Sequence, residues 1–399
     1  MNKQIEDNSH DEKLSLAIAA GLAIPAVKFS IVQSIPNLYL YNNYWNIIVY
    51  IMMLFYIIPT IKIIMFRKFY TLTFTFITLT IFILISLLFF PENKFNIYSE
   101  ILRIYTISFV FFILTISINK YDLLFEKLIK SSYVVIIFSF FMFISTSLFG
   151  AVGNAKTEYN MSLSYYCLVP TMMMYINMKM NKNIVSGLFF GIGLMVIVGM
   201  GARGTLISLI IFLIMDYLKD IKNVKDLLKS ITYLFSSGLL IYFYGEKMLY
   251  ALYLKLQSVG IQSRTLEFFF SDSITSTSNR SQINKIMWDK IKESPISGKG
   301  LLNDLSPHNI ITESFLFYGV ILGSIVLLVL TIMIIQTIFI KYSSKESMLL
   351  IVLFCYAIPD ALLNLSVIGK DIFWIYVALS LNIYLSNNKR IRSEAVGKI

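Results

Sequence analysis

Apolar runs of about the length needed to cross a bilayer recur along almost the whole chain, and that repetition limits the fold more than any other feature. A transmembrane helix needs roughly 20 mostly apolar residues. Twelve segments fit: 14–32, 44–65, 71–90, 98–118, 131–149, 161–178, 184–199, 204–218, 230–244, 309–340, 347–365 and 372–386. Hydrophobic residues make up 57% of the chain, charged residues 14%, and mean hydropathy is +0.72. Soluble domains carry about 25% charged residues, so the polar surface here is too small to cover a water-exposed body. A soluble domain, a disordered chain and a disulfide scaffold are excluded on composition. The expected fold is all-α, a polytopic membrane bundle of about twelve transmembrane helices.

The net charge of +11 has three readings: nucleic acid, anionic lipid or membrane topology. Location decides between them, because cytoplasmic loops of membrane proteins carry an excess of Lys and Arg. With the N-terminus inside, nineteen basic residues fall in the inside segments and only Lys94, Lys156, Arg203 and Lys370 in the short outside loops. The alternation holds at every predicted span. Residues 1–13 and 387–399 are then cytoplasmic tails, 14–244 holds helices one to nine, and 309–386 holds helices ten to twelve. The first tail carries Glu6, Asp7, Asp11 and Glu12, unlike the positive start of a signal peptide. Cys167 and Cys355 lie in apolar runs and read as small buried hydrophobes.

Segment 245–308 breaks the rhythm and reads as a large, partly helical periplasmic loop between helices nine and ten. It holds eight basic and six acidic residues, so the overall basicity is not concentrated there. Ser271 to Ser281 is rich in Ser and Thr, a loop signal. Ile283, Met287 and Ile291 then recur at helical spacing. Pro295 should stop that helix, and Gly298 and Gly300 should make a turn.

Several residues on the outer side carry potential chemistry. His308 lies in Ser306-Pro307-His308-Asn309, just before the tenth span. Imidazole titrates near neutral pH, which suits a general base, although a histidine at a helix start is also ordinary interfacial chemistry. Asn309 suits a helix N-cap, with Glu313 in the first turn. Arg203 lies in Gly201-Ala202-Arg203-Gly204. Its glycine neighbours let an anion approach the backbone, and a guanidinium grips phosphate oxygens as a fork. The plain alternative is a snorkelling arginine. Arg280 sits near the start of the amphipathic helix, whose N-terminal end favours anions. Arg264 is a second loop arginine. Arg103 and Glu100, three residues apart, are charges within an apolar run that can simply pair. Lys28 and Asp360 are weaker cases of the same kind. The sequence has no Walker A loop, no HExxH, no metal-ligand cluster and no GxSxG.

In order and spacing, Gly201-Ala202-Arg203-Gly204, the large loop, Arg280, Trp288, Pro295-x-x-Gly298-x-Gly300, Pro307-His308-Asn309-x-x-x-Glu313 and Gly319-x-x-x-Gly323 resemble the O-antigen ligase and polymerase superfamily. The motif region runs from Gly201 to Gly323, and the spans extend the likeness to most of the chain. The resemblance implies an inverting GT-C type glycosyltransferase of the bacterial inner membrane, active on the periplasmic face without metal or other cofactor. Its donor is an oligosaccharide on undecaprenyl pyrophosphate. Further partners are an acceptor glycan, membrane lipid and a chain-length regulator protein, with no role for nucleic acid. By resemblance, His308, Arg203 and Arg280 are catalytic. His308 deprotonates the acceptor hydroxyl, and the two arginines hold the pyrophosphate. Gly201, Gly204, Arg264, Asn309, Glu313 and Arg103 are assigned to substrate binding. Polymerase is favoured, with ligation onto lipid A–core as the alternative and a lipid-linked oligosaccharide flippase behind both.

Overall fold

The computed structural model describes residues 2–35, 38–152, 161–200, 202–219, 280–302, 309–340, 344–363 and 366–396, with scattered positions between 232 and 258. All regular structure among these residues is helical. A bilayer core offers no water to unpaired N–H and C=O groups, and a helix satisfies them within one segment. Among the described residues, six helical stretches are long and apolar enough to cross a membrane: Glu6–Ser34, Asn42–Phe89, Pro91–Ile116, Tyr121–Thr146, Ile310–Phe339 and Lys345–Leu363. Ile184–Met200 and Asp371–Ser386 are shorter apolar helices.

In chain order the helices are α1 (Asn2–Ser34), α2 (Asn42–Ile57), α3 (Ile61–Phe89), α4 (Lys94–Arg103), α5 (Val110–Ile116), α6 (Tyr121–Val152) and α7 (Met161–Asn181). They continue as α8 (Ile184–Met200), α9 (Arg203–Lys219), α10 (Arg280–Glu293), α11 (Ile310–Phe339), α12 (Lys345–Leu363) and α13 (Asp371–Val396). A π-helical turn, Ile104–Phe109, joins α4 to α5. Each predicted apolar run coincides with helix except 230–244, which lies almost wholly outside the described residues. The loop 245–308 is described mainly through α10 and the segment that follows it.

One core runs through the bundle, with Leu14, Ile18, Phe111, Leu124, Met172, Leu350 and Tyr376 among its buried members. α12 is buried along almost its whole length, whereas α2 and α3 turn large apolar side chains outward. α3 carries a break at Lys68 (φ −138°, ψ 32°), at the predicted turn between the second and third spans.

Polar contacts gather at two opposite ends. At one, buried Arg67 pairs with Asp11 and with Asp7 at 2.9 Å. Lys127 meets Glu12 (2.6 Å), Lys345 meets Glu126 (2.8 Å), and Asn382 donates to the Ile118 carbonyl (3.1 Å). Lys219, closing α9, donates to the Ile340 carbonyl (2.5 Å), which ties it to the end of α11 where α12 begins. Lys179 pairs with Asp216 one turn above (2.8 Å). α9 packs against α12, with Cys355 Sγ 3.7 Å from Met215 Sδ, and Arg203 opens α9 at the end opposite Lys219.

α11 departs from the single long span expected over 309–340. It breaks at Gly319 (φ 74°, ψ 176°), and the half before the break lies back along the half after it. A Cβ at Gly323 would stand 2.7 Å from the Ser314 carbonyl oxygen. Ile310 and Ile311 face Leu327, Leu330 and Ile334 across a 260 Å³ apolar cavity. The apolar content of the sequence continues through Gly319, so composition alone could not mark the break. A small second core lies beside it, formed by Ile83, Ile97, Ile291, Leu301, Leu316 and Phe317.

Candidate functional site

The end of the bundle opposite Arg67 carries a strap, residues 366–370, between α12 and α13. Ser366 starts it as the N-cap of a short 3-10 turn (Val367–Gly369), accepting from the Ile368 N–H at 3.2 Å. The same hydroxyl donates to Glu313 Oε1. The Ser108 hydroxyl, in the π turn, donates to the Ile368 carbonyl. Gly369 leaves room for Arg103, whose Nε would lie 2.6 Å from a Cβ at that position. Lys370 Nζ pairs with Asp360 at 3.2 Å and sits 5.9 Å from the Tyr165 ring centre. The strap therefore joins α11, the π turn, α4, α12 and α7.

Glu313 is the group with the most chemical potential. It is 4% exposed, and its partners are the Ser366 hydroxyl and the Val367 backbone N–H. Among the described residues no lysine or arginine pairs with it. A buried carboxyl without a cation is costly, and ionisable groups at membrane depth are retained mainly where they serve a site. Half-exposed Arg103 makes a long pair with Glu100, at 3.5 Å, and lies within electrostatic reach of Asp371. Arg103 and Glu100 therefore pair, as their three-residue spacing predicts.

An apolar cavity of 290 Å³ adjoins the strap. α3 supplies one wall through Phe74, Thr78 and Phe82, while Phe109, Phe112 and Trp374 form the opposite side. Ile368 of the strap and Tyr318, next to the break in α11, line the end nearest Glu313. The arrangement suits an amphiphile, with its apolar part along α3 and its polar part at the strap.

Of the residues expected from the sequence, Glu313 and Arg103 come together around the strap. Asn309 is the N-cap of α11, accepting from the Ile311 N–H at 2.8 Å, as its sequence position suggested. Arg203 opens α9 with an exposed side chain, and Gly204 follows in the first turn. Arg280 opens α10, and only its backbone is described. His308, Gly201 and Arg264 lie outside the described residues. Ser366 and Ser108 carry no signal in the sequence, because a lone serine in an apolar chain says nothing until its partner is known. Asp360 and Lys370 were noted only as separate charges. A carboxylate near the end of one apolar run and a lysine just before the next are the readable trace of such a pair.

Searches against protein-family models, curated proteins and solved structures find no match for this chain.

Proposed function

We propose that this chain is a glycosyltransferase of the bacterial inner membrane that polymerises a surface polysaccharide from glycans on undecaprenyl pyrophosphate. The observation that carries the reading is the convergence, beside an apolar cavity, of Glu313, Arg103 and Lys370 at the end of the bundle where Arg203 lies. In the proposed topology the chain crosses twelve times with both termini cytoplasmic, so this end faces the periplasm. Segment 245–308 forms a cap there.

The chemistry proposed is the one the resemblance implies for His308, Arg203 and Arg280. The acceptor hydroxyl oxygen attacks the anomeric carbon of the donor sugar from the face opposite the pyrophosphate. Its proton passes to His308. The bond between the anomeric carbon and the pyrophosphate oxygen breaks, and polyprenyl pyrophosphate departs with the electron pair. Arg203 and Arg280 stabilise the charge that develops on it, an effect strengthened in a low-dielectric site. The cavity along α3 takes the first part of the lipid tail. A base titrating near neutrality contributes ~10²–10⁴-fold.

Purified protein given a lipid-linked repeat and no lipid A–core is expected to produce a ladder of longer chains. Arg203→Ala and His308→Ala should abolish the ladder while inserting normally, and Arg280→Lys should rescue Arg280→Ala only in part, because the fork is lost. Wild-type ladders in these variants would remove those residues from the site. Product made only on lipid A–core, from preformed chains, would replace the polymerase reading with the ligase reading.

A further inference from the structure

The segment that follows α10 grips the break in α11, and the grip is made of backbone. Where α11 breaks at Gly319, two groups lose their place in the helical ladder. The Leu316 carbonyl accepts instead from the Lys299 N–H at 2.7 Å, and the Val320 N–H donates to the Pro295 carbonyl at 2.7 Å. Segment 295–299 thus caps both open groups, meeting the need of a broken helix for outside partners.

Glycine is required on both sides. Gly298 (φ 69°) and Gly319 (φ 74°) lie in the left-handed range that side chains avoid. A Cβ at Gly319 would stand 2.1 Å from the Ile296 carbonyl oxygen, and one at Gly298 would stand 2.6 Å from the Gly319 nitrogen. These obstacles are backbone atoms, so no rotamer change relieves them. The same segment is fixed on its other side. Asn93 donates to the Lys299 carbonyl (2.7 Å), Asn96 to the Leu302 carbonyl (3.1 Å), and the Leu301 N–H to the Ser86 hydroxyl (2.7 Å).

We infer that this clasp is a positioning device. It holds α10, which begins at Arg280, and the half-helix carrying Asn309 and Glu313 as one unit against α3 and α4, with Gly298 and Gly319 as its positioning residues. Within this unit Met287 is fully buried, Ile291 packs with Leu301, Leu316 and Phe317, and the Trp288 ring centre lies 6.1 Å from that of Phe315 at a tilt of 48°. Pro295-x-x-Gly298 and Gly319 therefore belong to two segments shaped to meet each other, while Gly323 lets the half-helix before the break lie close to the half after it. The consequence for catalysis rests on the proposed polymerase function; the clasp itself does not.

The test uses the full chain in membranes. Met287→Cys and Leu301→Cys report on the docked face, and each is combined with Gly319→Ala or Gly298→Ala. A membrane-impermeant maleimide should label both positions at least about tenfold faster in the glycine variants, as local opening predicts. Ile176→Cys, in the main core, should stay protected, which separates undocking from unfolding. In the single variant Gly319→Ala, kcat for polymer formation should fall by about a hundredfold, the scale of a small misplacement of reacting groups. KM for the lipid-linked donor should change by less than about threefold, since the tail cavity is untouched. Unchanged labelling would overturn the clasp. Faster labelling with an unchanged kcat would overturn the positioning role. A wild-type protein that forms no polymer would sink the polymerase reading instead, and the labelling would still decide the clasp.

Discussion

Single residues divide into those whose sequence context names their role and those whose partner is distant. Arg67 reads in the sequence as a topology signal. In the structure it also closes a buried cluster, paired with Asp11, which is fully buried and also accepts from the Asn119 and Lys120 N–H groups at 3.2 Å. Arg67→Met would leave that carboxylate buried with backbone donors and no cation. Breaking a buried pair costs about 3–5 kcal/mol. The thermal midpoint in detergent is expected to fall accordingly, with Arg67→Lys restoring part of it. An unchanged midpoint would show that the pair contributes nothing. Glu313 sets up the opposite case. Glu313→Gln still accepts from Ser366, so stability should stay within about 1 kcal/mol. Loss of the charge should nevertheless suppress polymer formation, and normal chain lengths in that variant would take Glu313 out of the site.

At the scale of elements, local signals read well and contacts between distant segments do not. The spacing of Ile283, Met287 and Ile291, the stop at Pro295 and the cap at Asn309 are all local, and α10 and the start of α11 appear where they indicate. The break in α11 and the strap depend on partners far away in sequence. Ser366 meets Glu313 across 53 residues, and nothing in either segment alone announces it. α8 illustrates the same limit. Its sequence carries Gly187, Gly191, Gly193 and Gly199 but does not say which of them meets a neighbour. The structure gives two of its glycines a purpose, because a Cβ at Gly193 would stand 2.2 Å from Thr171 Oγ1 and one at Gly199 would stand 2.4 Å from the Phe143 ring. Small residues let membrane helices approach closely, and here they seat α8 against α7 and α6. Gly199→Val should cost about 1–3 kcal/mol through overpacking. Gly191→Val should cost far less, since a Cβ there meets nothing within 4 Å. Equal losses of midpoint in the two variants would remove close packing as the cause.

At the scale of the whole molecule, the charge alternation and the contact network sort the chain in the same way. Residues placed inside by the alternation, Arg67, Lys120, Lys127, Lys179, Lys219 and Lys345, are linked by polar contacts at one end. Arg103 and Lys370 meet around the strap at the other. The run Asn42–Phe89 has 48 residues. As one straight helix it would be about 72 Å long, more than twice the ~30 Å hydrocarbon core. With its break at Lys68 beside Arg67, it is long enough for two crossings that would meet at the Arg67 end, the cytoplasmic side in the proposed topology. Cysteines placed singly at Tyr41, Glu92 and Asn119 test that arrangement in sealed vesicles of known orientation. An impermeant maleimide should reach Tyr41→Cys and Glu92→Cys only from the periplasmic side, and Asn119→Cys only from the cytoplasmic side. The reverse pattern would invert the orientation and place the strap, with Glu313 and Arg103, in the cytoplasm. Periplasmic pyrophosphate chemistry could not occur there. The proposed count of twelve depends on residues 230–244 in the same way. Lys225→Cys and Ser258→Cys should label from opposite sides. Labelling from one side would remove that crossing and turn every later helix over, which would contradict a strap on the same face as Glu92. The two measurements therefore constrain each other, and together they fix which face of the membrane the candidate site serves.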